Sequence, residues 1–261
     1  MKKYWFLFTT QVINSLAYPG ELVGRSLIII PFMWIFYQLW SVTFKSAGVT
    51  EINGLTVNMT LWYLMLAETI ELSRPRLGNT ISEAVKDGSI AYILSKPYDF
   101  LLYHYATSMG ETLFRASLNA LLGGAIVRWL AGAPPDPRGW PMVILAIFGA
   151  WTLNFCIAAL IGLSAFAVED ISAFQWIYQK FAFIFGGLLI PLDFYPAWLQ
   201  AISHALPFQA MLYAPARLFV EPSAGAFLST LGTQLVWIVA LGLLLAYFYR
   251  RSIHLLTVNG G

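Results

Sequence analysis

Residues 186–208 read GGLLIPLDFYPAWLQAISHALPF, and the fold turns on what they are. An apolar helix runs up to Pro191, and a second helix begins at Pro196 with Trp198, Leu199, Ile202 and Leu206 on roughly one side. That second segment is too short to cross a bilayer, which takes about 20 residues, and too apolar for an ordinary loop. A chain already embedded in a membrane gives it a place. Half-sunken, a short helix satisfies its own backbone while its apolar side faces lipid or neighbouring helices.

The rest of the chain has the composition this requires. Of 261 residues, 59% are hydrophobic and 11% charged, against about 25% charged in a soluble domain; the mean hydropathy is +0.68. A net charge of +2 leaves no extended basic surface, so nucleic acid is excluded as a partner. Cys156 is the only cysteine and lies in an apolar run, which excludes an intrachain disulfide and a cysteine-based metal cluster. Residues 1–22 open with two lysines, but the apolar stretch Tyr4 to Phe8 is too short for a secretory signal. Trp5, Phe8, Val12 and Leu16 recur at helical spacing opposite Lys3, Thr10 and Asn14, the pattern of a helix lying on the membrane surface.

Six stretches are long enough to cross: Ser26–Phe44, Val57–Leu72, Phe100–Ala131, Trp140–Val168, Phe174–Pro191 and Phe227–Tyr249, the second being the shortest. Six crossings put both termini on one side. With the termini inside, the cytoplasmic segments hold Lys2, Lys3, Arg25, Arg74, Arg76, Lys86, Lys96, Arg250 and Arg251, and the outer ones hold Lys45, Arg128, Arg138 and Arg217. The positive-inside rule therefore places both termini in the cytoplasm. Trp40, Trp62, Trp129, Trp140 and Trp198 gather where the outer interface should be. Residues 192–217 then lie outside, between spans five and six, as a lid over the outer mouth whose corners are Pro191, Pro196 and Pro207.

Residues 73–100 form the one sizeable polar segment on the cytoplasmic side. Thr80, Ile81, Ser82 and Glu83 fit a capping box, so a helix starts at or next to Thr80, and Gly88 is its natural stop. Ile81, Ala84 and Val85 make an apolar face ringed by Glu83, Lys86 and Asp87. The residues leave two readings open: a loop helix packed on its own bundle, or a plug that docks in the groove of a soluble partner. On the second reading Ile81→Asp leaves the protein inserted but uncoupled.

Charges also stand within the spans. Glu111 and Arg115 are one turn apart on span three and can pair, which favours a structural clasp over an ion route. Lys180 lies about two turns into span five, where its stem can snorkel inward. His104 and His204 stand alone and form no metal site. No phosphate-binding loop, zinc-protease motif or nucleophile elbow occurs, so the chain carries no ATPase or hydrolase site of its own. No internal repeat of the kind found in many secondary transporters is visible.

The segments ISEAVKDGSIAYILSKP and FGGLLIPLDFYPAWLQAISHALPF followed by YAPARLF, with the N-terminal surface helix, resemble the membrane subunit of ABC transporters of the type-2 export class. Within it the likeness is to compact six-span permeases grouped with viologen exporters. The resemblance implies an all-α membrane protein with one permease domain over residues 1–261 in a bacterial cytoplasmic membrane. It implies that the helix after Thr80 is a coupling helix contacting the ATPase through Thr80, Ile81, Glu83, Val85, Lys86 and Gly88. Residues 192–217 become an outer gate built on Pro191, Pro196, Trp198, Leu199 and Pro207. It further implies ATPase subunits that carry the ATP and magnesium, a second permease in a homodimer or heterodimer, and no cofactor in this chain. The substrate path would run between permeases, past Trp62, Met65, Trp176, Phe183 and Phe185, and an aromatic, Met-containing wall suits a hydrophobic, amphipathic or cationic molecule. Two other functions fit the sequence, an ion-coupled secondary transporter and a non-transporting membrane scaffold.

Overall fold

Apolar runs broken at prolines and glycines fold into a succession of helices: α1 (Lys2–Ala17), α2 (Pro19–Ser26), α3 (Ile29–Ala47), α4 (Val57–Leu72), α5 (Leu77–Lys86), α6 (Ser89–Leu94), α7 (Phe100–Ala131), α8 (Trp140–Leu163), α9 (Ser172–Phe185), α10 (Ala197–His204), α11 (Pro207–Met211), α12 (Tyr213–Val220) and α13 (Ala224–Asn259). The computed structural model describes residues 2–17, 19–136, 139–168 and 170–259. Met1 and Tyr18 of the opening segment, and Arg138 among the outer charges, lie outside them. Among the described residues three helical stretches are long and apolar enough to cross a membrane, Val23–Ala47, Trp140–Phe166 and Ala224–Ser252. The protein is an all-α, multi-pass membrane protein.

The helix that looked least secure is the centre of the molecule. Apart from Glu68 and Glu71 near its end, α4 carries apolar residues all round, and such a helix is stable only where every side is covered. Its residues Thr60 to Ile70 are buried without interruption, enclosed by α3, α7, α8 and α12. Thr56 caps it, its hydroxyl accepting the Met59 N–H at 3.3 Å. α4 and α7 have the bounds expected from the sequence.

Three features depart from expectation. The fifth apolar stretch does not stay helical to Pro191. α9 ends at Phe185, and Gly187 adopts φ +68°, a conformation open to glycine. At 14 residues the helix is about 21 Å long, short of the roughly 30 Å hydrocarbon core. Tyr63 of α4 donates its hydroxyl to the Gly187 carbonyl at 2.7 Å and holds the break. Second, an unforeseen hairpin joins α3 to α4: β1 (Glu51–Ile52) pairs antiparallel with β2 (Leu55–Thr56). Asn53 and Gly54 turn it with φ of 47° and 80°, the conformations Asn-Gly favours in two-residue hairpins.

Third, residues 192–217 do not all lie at the surface. α10 does, with Trp198 66% exposed. α11 and α12 instead wedge among α4, α8 and α13, and Pro215, Ala216, Leu218, Phe219 and Val220 are core residues.

Candidate functional site

The polar end of the molecule is built around α5. Arg76 occupies the cap position, and the Thr80 hydroxyl donates back to the Arg76 carbonyl at 3.2 Å. The capping box therefore does not form, and the helix begins most of a turn before Thr80. A capping contact contributes about 1 kcal/mol, whereas burying a leucine contributes about 1.5–3 kcal/mol; the earlier start buries Leu77 against α8.

The apolar face of α5 points inward. Leu77, Gly78, Ile81 and Ala84 are buried, Ile81 to 0% exposure. Gly162 of α8 makes the seat, since a methyl group there would stand 2.9 Å from the Ile81 Cβ. Gly78 is as close on the other side, its added Cβ falling 3.1 Å from the Gln175 amide nitrogen. Ile81 is thus no outward knob, and Val85 is half-buried against the same core. What α5 presents outward is Thr80, Glu83, Lys86 and Asp87. Gly88, at φ +77°, ends the helix where the sequence placed the stop. Beyond it the Asp87 carboxylate accepts the Ser89 N–H at 2.8 Å, and its bonds to Ser89 hold it below the usual carboxylate range. Tyr92 is 67% exposed, with the Lys96 ammonium 4.4 Å from its ring centroid.

α1 is fastened to the same end. Lys3 Nζ donates to the Pro97 carbonyl and the Asp99 N–H to the Tyr4 hydroxyl, each at 3.0 Å. Along α7 it lies so near that a methyl group at Gly110 would be 2.7 Å from the Phe8 carbonyl oxygen.

Glu111 and Arg115 form the expected clasp, at 2.5 Å. The clasp extends further than the sequence indicated. Arg115 Nη1 donates to the Arg74 carbonyl at 3.3 Å, Arg74 pairs with Glu71, and its guanidinium lies 4.9 Å from the Tyr178 ring centroid. The spacing of Glu71 and Arg74 could have revealed that second pair. Lys180 holds its ammonium over the rings of Trp176 and Phe183, at 5.3 and 5.6 Å from their centroids.

The aromatic wall is not assembled. Trp62 and Met65 are buried between α4 and α7, near Gly124 and Gly123, and Trp62 donates its indole N–H to the Gly132 carbonyl at 3.2 Å. Both side chains are covered by the helices that enclose α4. Trp176, Phe183 and Phe185 remain on α9, the first exposed and the others half-buried.

At the opposite end Pro191 and Pro207 are buried, whereas Pro196 is exposed and Leu199 half-buried on α10. The Asp193 carboxylate accepts from Arg217 Nε and the Tyr213 hydroxyl, both at 3.2 Å. Its backbone carbonyl accepts from the Asn53 amide at 2.6 Å, which ties the hairpin to the segment before α10. Arg217 also pairs with Glu221 at 2.5 Å. Among the described residues no group of three or more His, Cys, Asp or Glu could hold a metal ion.

The family model described as ABC-2 family transporter protein matches residues 17–260. No curated protein matches the chain.

Proposed function

The chain belongs to the ABC-2 transporter family, and from that premise we propose that it is the membrane-spanning permease of an ATP-driven exporter of the compact, viologen-exporter-like kind, in a bacterial cytoplasmic membrane. It crosses six times with both termini in the cytoplasm: α4, α7, and α9 extended by the buried turn at Gly186, Gly187 and Leu188, add to the three long apolar helices. α1 lies at the inner surface and α5 is the coupling helix. The chain is not itself an ATPase; ATP and magnesium bind on a partner ATPase, and a second permease completes the pathway. The outer gate is α10 with the turn before it.

One observation carries the reading. α5 is locked to α8 through Gly78, Ile81 and Gly162 while it presents Thr80, Glu83, Lys86 and Asp87 outward. A partner pressing on that polar face moves α8 with it, as coupling requires. The ATPase contact accordingly runs through charged and polar groups, and Ile81 acts from behind as the fastening. The Glu111–Arg115 clasp is self-neutralising, which favours this reading over an ion-coupled transporter. The substrate is a hydrophobic or amphipathic molecule; the rings nearest a cation on α9 already hold Lys180.

The test is purification from native membranes in mild detergent. A complex of two permeases and two ATPases is expected, and Lys86→Glu should weaken ATPase association at least tenfold, about 1.4 kcal/mol, at unchanged permease thermal stability. A chain that always emerges without an ATPase overturns the reading.

A further inference from the structure

Where α2, the α4–α5 turn, α7, α8 and α9 meet, an open-mouthed cavity of about 370 Å³ enters the bundle, a volume within the roughly 300–1,000 Å³ of small-molecule pockets. Its lining is polar, but neither sign of charge prevails. Arg25 and Arg76 are exposed at its rim, and Arg25 is engaged within the chain. Further in, Arg74 pairs with Glu71 and also feels the charge of Glu68, and Arg115 pairs with Glu111. Each inner guanidinium is thus matched by carboxylate. A ligand of net charge would give up its hydration there and gain no unmatched counter-charge in return. Selection falls instead to hydrogen bonds and shape, and it favours an uncharged ligand.

The hydrogen-bonding groups left over indicate which kind. Asn119 of α7 is 1% exposed and gives its amide N–H to the Ser73 hydroxyl at 3.2 Å, while its carbonyl oxygen has no partner among the described residues. One turn earlier Arg115 Nη1 donates to the Arg74 carbonyl at 3.3 Å. Arg115 Nε and Arg74 Nη1 are both buried donors without a partner among the described residues. Because Asn119 and Arg115 bond to the consecutive residues Ser73 and Arg74, the spare groups share one neighbourhood and amount to one acceptor and two donors. A hydroxyl oxygen donates one hydrogen bond and accepts two. No single amide, ether or carbonyl atom does both. Gln179 adds an exposed amide for a neighbouring hydroxyl, and Leu72, Ala158 and Ile161 offer apolar wall to carbon atoms of the ligand.

We propose that this cavity binds an uncharged molecule bearing several adjacent hydroxyls, as a sugar does. The polyol arrives either as the headgroup of an amphipathic molecule or as a free soluble one, and the cavity recognises the chemistry common to both. In the first case, and resting on the exporter reading above, the hydroxylated head is the part of the substrate that the permease recognises. In the second the site takes a soluble ligand distinct from the cargo. Binding itself needs no ATPase, so its absence would overturn this site and leave the exporter reading to its own test.

The full chain, in phosphatidylcholine nanodiscs, is titrated by calorimetry with hexyl β-glucoside, its carboxylate counterpart hexyl β-glucuronide, diethylene glycol monohexyl ether and free glucose, with empty nanodiscs as the blank. Hexyl β-glucoside is expected to bind saturably and at least tenfold more tightly than the glucuronide or the ether. Gln179→Ala, at an exposed position, should weaken that binding several-fold at unchanged melting temperature, and Asn119→Ala about tenfold. Glucose binding as tightly as hexyl β-glucoside identifies the free polyol as the ligand; binding of the glucoside alone identifies the headgroup. No saturable binding, equal affinity for the glucoside and either the ether or the glucuronide, or folded variants that bind like the wild type, overturns the proposal.

Discussion

Ile81 illustrates how far a single residue could be understood from sequence. Its apolar stripe was legible, but a stripe reports that a helix face is covered without saying by what. The answer lay in Gly162, far along the chain, whose missing side chain admits Ile81 to 0% exposure. Ile81→Asp would bury an uncompensated charge, a loss of roughly 3–5 kcal/mol. We expect it to unseat α5 altogether, seen as fast hydrogen exchange over residues 77–86, rather than leave a well-folded, uncoupled permease. Gly162→Ala should loosen the same seat by overpacking, about 1–3 kcal/mol, with a lower melting temperature in detergent as the readout. Trp62 misled for the opposite reason. Tryptophan is common at membrane interfaces, and nothing in its own neighbourhood showed that α7 and α12 would cover it.

At the scale of elements, α4 and α7 were readable to the residue because caps or prolines bound them: Thr56 caps α4 and Asp99, just after Pro97, caps α7. The end of α9 was not readable. The run from Phe185 to Ile190 stays apolar, and hydropathy does not distinguish a helix from the irregular turn that Gly187 makes. Gly187→Val would force a β-branched side chain into φ +68° and within 2.8 Å of the Tyr63 hydroxyl. Expression of folded protein should fall several-fold, measured by size-exclusion chromatography of the detergent extract. The Asn-Gly hairpin was a readable signal that went unused. Its partner is the turn before α10, and Asp193→Ala should cost about 1–3 kcal/mol through the lost Arg217 and Tyr213 bonds, detected as a lower melting temperature.

For the molecule as a whole, composition alone established a membrane protein, whereas the inward placement of α11 and α12 was beyond it. Their apolar faces are like those of a surface helix, and only tertiary packing sends α12 between α4 and α8 and α11 against α8 and α13. The six-crossing arrangement is testable with one replacement, Cys156→Ser, since that thiol is buried and the only one in the chain. In that background Ser46→Cys should react with a membrane-impermeant maleimide on intact cells. Ser89→Cys, on the other face, should react only after the membrane is opened.

The covering of α4 by α12 also has a temporal meaning. A ribosome delivers Val57–Leu72 long before Tyr213–Val220, so throughout most of synthesis the central helix waits with one flank bare. Sixteen residues long and carrying Glu68 and Glu71, it is a poor passenger for the lipid phase by itself. Nascent chains cut short before residue 220 would expose that flank to chaperones and proteases, and maturation should become protease-resistant only once the last third of the chain has arrived.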